Sequence, residues 1–158
     1  ASYLKAYIPG FENAYMDRVA PFMGIRETRR LVGEYVLTEQ DIFDCAKFDD
    51  AIAVSAYPVD QHHPVGGDCT LMWCPDCHDI PYRSLLPKKI DSLIVAGRCL
   101  SATHLALASV RVMGPAMATG EAAGKAAALS IKHNVQLRDL DVAALQQALR
   151  EEGVYFRD

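Results

Sequence analysis

The apolar positions of this chain follow two periods, and each period predicts a different kind of element. Spacings of three and four residues predict helices over 11–22, 39–46, 114–133 and 142–152. The second helix begins at Thr38, which is followed three residues later by Asp41, as in a capping box. The third helix has Pro115 in its first turn, where a missing N–H needs no partner, and it ends at Asn134.

Runs rich in apolar and β-branched residues predict strands over 24–37, 51–57, 80–87 and 93–96. The segment 2–8 is predicted to be a strand or the tail of an earlier element. This order predicts an α/β fold, or α+β if the chain is a fragment. We divide it into 1–92, with mixed strands and short helices, and 93–158, with the last strand and helices. A strand that ends in a glycine, here Gly97, before a helix N-terminus is typical of a cofactor-binding edge.

The long helix carries small residues at every fourth position, which places them on one face. We call this face the small-residue ridge; it consists of Ala116, Gly120, Gly124 and Ala128. A glycine inside a helix costs roughly 1 kcal/mol relative to alanine. The pattern therefore indicates that another element packs closely against this face.

Three stretches closely resemble the C-terminal end of the FAD-dependent oxidoreductase family. They are LIVAGRC at 93–99, SATH at 101–104 and ASVRVMGPAMATGEAAG at 108–124, and the similarity extends upstream through 80–87 and 24–30. The family has the architecture of glutathione-reductase-type and fumarate-reductase-type flavoproteins. The resemblance implies that 1–92 belongs to a substrate domain, and that the last strand and helix complete an FAD-binding domain.

The resemblance also implies which residues meet the cofactor. The expected FAD-binding residues are Gly97, Arg98, His104, Arg111, Gly114, Pro115, Ala116 and Met117. Gly97 would let the strand end approach the ribityl chain without a Cβ in the way. The amides around 115–118, other than that of Pro115, would face the flavin C2 carbonyl, where negative charge develops on reduction. Arg98 stands where many flavoproteins carry an acid.

Candidate catalytic residues are Asp60, His62 and Arg29. The family has a Tyr-Pro-x-Asp-x-His stretch, which Tyr57 begins here, and a histidine beside an aspartate can shuttle a proton near neutral pH. The alternative is a polar turn capped by its own aspartate. The arginines of 26–30 fit either a solvated edge strand or a clamp for a substrate carboxylate.

The segment 66–78 departs from the family because it crowds cysteines and a histidine together. Four interpretations stay open: a c-type haem attachment, a zinc site, a redox-active dithiol and a reduced loop insertion. The zinc ligands would be Cys69, Cys74, Cys77 and one of His62, His63 or His78. We expect the reduced loop, with no metal and no haem.

Composition narrows the classes of function. A formal net charge of −4 disfavours nucleic acid, since phosphate binding needs a basic patch. The most apolar stretch, 116–131, is interrupted by Glu121 and Lys125, so we expect a buried helix and no membrane span. Five cysteines do not form a disulfide framework, which favours a reducing cytoplasm.

The pyrophosphate-binding motif G-x-G-x-x-G does not occur in the chain. We therefore expect the C-terminal segment of a larger flavoenzyme that transfers hydride or electrons through FAD to or from an unknown small molecule. Its partner would be the N-terminal nucleotide-binding half of the same protein, and alone the chain would be inactive and hold FAD weakly or not at all. The alternative is a catalytically silent module that docks through the small-residue ridge. We also expect a homo-oligomer.

Overall fold

A computed structural model describes residues 1–63 and 67–157 as a mixed α+β structure. The helices are α1 (Ser2–Tyr7), α2 (Glu39–Phe43), α3 (His104–Val110), α4 (Met113–His133) and α5 (Val142–Glu151). The strands are β1 (Ala51–Ser55), β2 (Val59–His62), β3 (Cys69–Met72) and β4 (His78–Pro81). Short 3₁₀ turns cover Tyr82–Leu85, Gly97–Cys99 and Leu137–Asp139.

The strands form two antiparallel pairs, and the second pair carries candidate site residues. β1 pairs with β4, from Ala51 opposite Pro81 to Ser55 opposite His78, with an irregularity after Ala51. β2 pairs with β3, and His62 lies directly opposite Cys69. This is the α+β alternative of the predicted fold class. No parallel sheet occurs among the described residues, so the α/β alternative is not seen there.

Helix α4 packs against β1 and α5, and α3 packs against β2. The buried face of α4 is small: Thr119, Ala122, Ala123 and Ala126. Small side chains let the helix axis approach the sheet closely, while larger residues fill the space around them. The largest fully buried apolar side chains include Leu37, Ile42, Ile52, Ile80, Tyr82, Leu85, Leu100, Leu107, Leu145 and Leu149.

The predicted helix ends are confirmed where the signal is local. The Thr38 hydroxyl accepts from the Asp41 amide, and the Asp41 carboxylate accepts from the Thr38 amide, which is a complete capping box. α4 ends at Asn134, whose φ of +52° is the left-handed conformation of a helix cap. Asp141 caps α5 through the amides of Ala143 and Ala144.

Two predicted strands are wrong. The segment 24–37 is extended, but it forms only isolated bridges, Gly33 to Pro87 and Leu37 to Ala102. The segment 93–96 is also unpaired, although the Val95 amide donates to the Leu85 carbonyl at 2.9 Å. Both have strand-forming composition, but a strand also needs a continuous partner, and the described residues provide none.

The helix predicted over 11–22 is wrong, and so is the strand alternative for 2–8, whereas the other alternative, the tail of an earlier element, stays a prediction. The segment 2–8 contains a helix, α1, with no buried residue, and 11–22 contains no helix. An amphipathic helix is stabilised mainly by packing of its apolar face, and here Phe11, Tyr15, Val19 and Phe22 remain exposed. The predicted strand 80–87 is shifted: β4 begins at His78 and ends at Pro81, and a 3₁₀ turn follows.

Candidate functional site

A cleft of about 380 Å³ lies between the segment 24–26, strand β2 and the junction of α3 with α4. Its lining combines three arginines with one carboxylate: Arg26, Arg98, Arg111 and Asp60, beside Gly24, Ile25, Val112 and Met113. Four of these, Arg26, Asp60, Arg98 and Arg111, are among the residues singled out from the sequence. A concave surface with this charge suits a small anionic molecule.

Arg111 connects the elements that surround the cleft. It follows α3 directly, and its side chain is only 8% exposed. Its Nη2 donates to the Asp60 carbonyl at 2.7 Å, which fixes strand β2 against the end of α3. Its Nη1 lies 3.8 Å from the Glu27 carboxylate. A buried guanidinium with these partners is both a structural tie and a positive charge at the cleft.

Glu27 is the residue that connects the segment 24–30 to α3, and sequence reasoning missed it. Its carboxylate lies 2.8 Å from Nδ1 of His104 and 3.5 Å from Nε of Arg30, besides its contact with Arg111. The available signal was the acid three residues before Arg30, among several arginines that need a counter-charge. His104 is therefore tied to Glu27, which positions its ring at the start of α3.

Arg98 lies at the cleft through contacts with the backbone. Its Nη1 donates to the Ile25 carbonyl at 3.0 Å and its Nε to the Arg111 carbonyl at 3.4 Å. It thus holds the segment 24–26 beside the α3–α4 junction. Arg29, by contrast, is exposed and does not line the cleft. Among the described residues it makes no ion pair, so the structure does not bring it to Asp60 and His62.

Asp60 and His62 are brought together as predicted, and Cys69 joins them from β3. The His62 Nε2 lies 3.2 Å from the Asp60 carboxylate, and the Cys69 thiol donates to Asp60 Oδ1 at 2.8 Å. This hydrogen bond from Cys69 lowers the pKa of the Asp60 carboxyl, with His62 and Arg111 adding to the effect. The same bond raises the pKa of the Cys69 thiol. Asp60 is therefore an ionised acceptor between an imidazole and a thiol.

The start of α4 offers free amide groups. No side chain caps the helix, and the Ala116 amide already donates to the Val112 carbonyl at 3.0 Å. Since α4 begins at Met113, one residue before the predicted start, the free donors are the amides of Met113 and Gly114. Pro115 has none, and the amides from Ala116 onward are used inside the helix. Gly114 is exposed, and a Cβ built on it would meet nothing within 4 Å.

Gly97 adopts a backbone conformation that other residues avoid. Its φ is +67°, and its amide donates to the Thr119 hydroxyl at 3.0 Å. A Cβ at this position would meet only Ala116 Cβ, at an ordinary 3.9 Å. Within this chain, then, glycine is required by the backbone angle and not by crowding.

The remaining cysteines lie apart from the Asp60–His62–Cys69 group. All five thiols of the chain are free. Cys45 accepts from the Asp76 amide at 3.2 Å, and Arg157 donates to the Cys77 carbonyl at 2.7 Å. His78 is fully buried with neither ring nitrogen hydrogen-bonded, and burial lowers its pKa to about 4. Gly66, the first residue of this predicted loop, lies outside the described residues, as does Pro64.

The small-residue ridge is uncovered. Gly120, Gly124 and Ala128 are exposed, and a Cβ on either glycine would meet nothing within 4 Å. Met113 and Met117 extend this surface at 77% and 73% exposure. An apolar hollow of about 610 Å³ lies beside the start of α4, lined in part by Tyr57, Trp73 and Pro115.

Among the described residues, none of the helices combines the length and hydropathy that crossing a bilayer requires. No curated protein matches the sequence, and no solved structure does. One family does match: the model of the FAD dependent oxidoreductases covers residues 1–149, nearly the whole chain. Its span takes in both the arginine-lined cleft and the free start of α4. The chain therefore belongs to the FAD dependent oxidoreductase family.

Proposed function

We propose that this chain is the C-terminal segment of an FAD-dependent oxidoreductase that transfers hydride or electrons to or from a small anionic molecule. The observation that carries the proposal is the family match over 1–149 together with an uncapped helix start beside a positively charged cleft. FAD, when bound, supplies the redox chemistry. The chain's own residues supply its surroundings and the site for the substrate.

The α4 start fits the pyrimidine edge of a flavin. Met113 and Gly114 present unused amides at the positive end of a 21-residue helix dipole, and Gly114 leaves space for a close approach. Such donors favour the developing negative charge of a reduced flavin, which raises its potential. Gly97, Arg98, His104, Arg111, Pro115, Ala116 and Met117 complete the proposed cofactor-facing set.

The cleft is the proposed substrate site. Arg26, Arg98 and Arg111 would attract an anionic group, and a carboxylate is the group that guanidinium binds in a bidentate manner. Asp60 orients His62 through its carboxylate, so that the imidazole can accept a proton and, once protonated, give it back. Arg29 remains a proposed catalytic residue only if the nucleotide-binding half brings it to the cleft.

The nucleotide-binding half of the protein is the proposed partner of the small-residue ridge. Exposed glycines at 120 and 124 favour this, because each costs the helix roughly 1 kcal/mol relative to alanine, and close packing of another backbone would offset that cost. The same observation favours a second candidate function, a catalytically silent module whose role is to dock through that ridge. The two differ in whether flavin is held.

An FAD titration by flavin fluorescence quenching separates these functions. The chain alone should show no saturable binding below micromolar FAD, and a complex with the nucleotide-binding half should saturate. Sub-micromolar binding by the chain alone would overturn the shared-site proposal. A complex that forms but holds no FAD would support the silent module.

A further inference from the structure

The end of the β2–β3 hairpin places a carboxylate, an imidazole and a thiol on one face. His62 and Cys69 are directly opposite one another in the register. Asp60 lies two residues before His62 on the same strand, so its side chain projects to the same side. The register of the two strands therefore places all three side chains on the same face of the pair.

The three side chains converge on a small volume. Cys69 Sγ is 2.8 Å from Asp60 Oδ1, and His62 Nε2 is 3.2 Å from the same oxygen. All three candidate ligand atoms lie within 4.8 Å of one another. Over residues 1–63 and 67–157, no other group of three His, Cys, Asp or Glu side chains meets that spacing.

Sulfur, imidazole nitrogen and carboxylate oxygen are the donors that Zn²⁺ takes in proteins. With bonds of about 2.0–2.3 Å, neighbouring ligand atoms of a tetrahedral site lie roughly 3.3–3.7 Å apart. The Cys69–Asp60 and His62–Asp60 separations of 2.8 and 3.2 Å would have to open to about this spacing to admit the ion, and the ligand atoms of His62 and Cys69 lie within 4.8 Å of each other. A thiolate and a carboxylate also balance the two positive charges of zinc.

We propose that Asp60, His62 and Cys69 bind one Zn²⁺ ion, with a fourth position open to water beside the arginine-lined cleft. This proposal departs from the expectation of no metal drawn from the sequence, and its ligands are not the cysteine set considered there, since Cys74 and Cys77 do not belong to the group. Three protein ligands and an open position are the arrangement of an accessible zinc site, not of a closed structural one.

Binding replaces a proton by the metal. The Cys69 thiol gives up the proton that it shares with Asp60, that proton leaves to solvent, and the thiolate sulfur bonds to zinc. His62 uses its Nε2 lone pair as a ligand. In the proposed function His62 moves a proton, so bound zinc would inhibit that step; the binding itself does not depend on the proposed function.

The test is a competition titration of the chelator-treated protein with ZnSO₄ and a fluorescent zinc indicator. We expect one ion per chain in the wild type. Cys69→Ser should weaken binding by more than about 100-fold, because even changes outside the ligand set cost 10–100-fold. Cys69 is exposed, so this substitution should leave the circular dichroism spectrum unchanged.

Cys77→Ser is the matched control, and it should bind zinc as the wild type does. With Co²⁺ in place of zinc, a thiolate charge-transfer absorption should appear in the wild type and in Cys77→Ser, but not in Cys69→Ser. Absence of saturable zinc binding in the wild type would overturn the proposal. Loss of binding in Cys77→Ser, with Cys69→Ser unaffected, would assign the metal to the other cysteines and would also overturn it.

Discussion

Gly97 and Gly124 both have free space around them, but an added methyl group should have opposite effects on stability at the two positions. Gly97 has a φ of +67° and Gly124 has helical angles, yet neither is crowded by a neighbouring side chain. An L-residue in the left-handed region costs roughly 1–2 kcal/mol. Alanine in place of an exposed helical glycine instead stabilises by roughly 0.5–1 kcal/mol.

We therefore expect Gly97→Ala to lower the free energy of unfolding by about 1 kcal/mol or more, and Gly124→Ala to raise it. Urea denaturation followed by circular dichroism measures both. Each variant is the control for the other, because both substitutions add one methyl group. A Gly97→Ala protein as stable as the wild type would show that the positive φ is not required.

We expect the stability of the fold to depend on pH through His78. Burial lowers its pKa to about 4 in the folded state, against the ordinary 6.5, and the nearby charge of Arg157 adds to this. The unfolded chain therefore binds the proton more readily, so the stability is fully present above pH 6.5 and falls as the pH drops toward 4. The full effect is about 3 kcal/mol.

The measurement is the urea midpoint between pH 7 and pH 5 for the wild type and for His78→Gln, which cannot titrate. We expect the midpoint of the wild type to fall over this interval more steeply than that of the variant. Equal slopes would mean that other groups cause the pH dependence.

At the scale of the element, the segment 24–30 is held by charge and not by sheet pairing. Glu27 joins it to His104 and Arg111, and Arg98 binds the Ile25 carbonyl. Glu27→Gln should loosen the segment by about 1 kcal/mol, or roughly fivefold in the population of the open form. Trypsin should then cleave after Arg26 and its neighbouring arginines correspondingly faster.

Glu34→Gln is the control for this experiment. It removes another partly exposed acid, which pairs with Arg138 and, among the described residues, makes no ion pair with the partners of Glu27. Unchanged cleavage in Glu27→Gln, or equal acceleration in both variants, would contradict the role of Glu27.

Elements with local signals could be predicted from the sequence, whereas elements that need a distant partner could not. The capping box at Thr38 and the left-handed cap at Asn134 involve residues within one turn, so spacing alone indicates them. The segment 24–37 has strand-forming residues, but pairing depends on residues far away in the chain. The segment 11–22 has helical spacing without a surface to pack against.

In the candidate site, too, local contacts could be predicted and contacts between distant residues could not. Asp60 and His62 are neighbours on one strand, so their contact could be predicted from their spacing. Cys69 and Glu27 meet the site only through hairpin register and the packing of α3, which composition does not encode. The Ala116 amide donates to the Val112 carbonyl and is not free for a ligand. This depends on the exact first residue of α4, which the sequence does not indicate.

At the scale of the whole molecule, the exposed ridge of α4 should cause the chain to self-associate. Gly120 and Gly124 lie beside exposed Met113 and Met117, which makes a continuous apolar surface. We expect dimers or larger oligomers by light scattering, and Gly120→Leu should dissociate them by blocking close approach. Ala143→Leu, on an exposed position of α5, should not.

A monomer at high concentration would contradict this expectation. So would a Gly120→Leu protein with the oligomeric state and stability of the wild type.

The central claim is that the start of α4 contacts FAD, and flavin content tests it most directly. Gly114→Val adds bulk at an exposed position that none of the residues the structure describes crowds. Lys132→Val places the same β-branched residue on the same face about 27 Å farther along the helix, where it replaces an exposed side chain. Both variants are made in the longer protein that we propose carries the nucleotide-binding half, and FAD per chain is measured by visible absorbance. The account predicts that Gly114→Val loses most of its FAD and Lys132→Val keeps it; full FAD in both variants would contradict it.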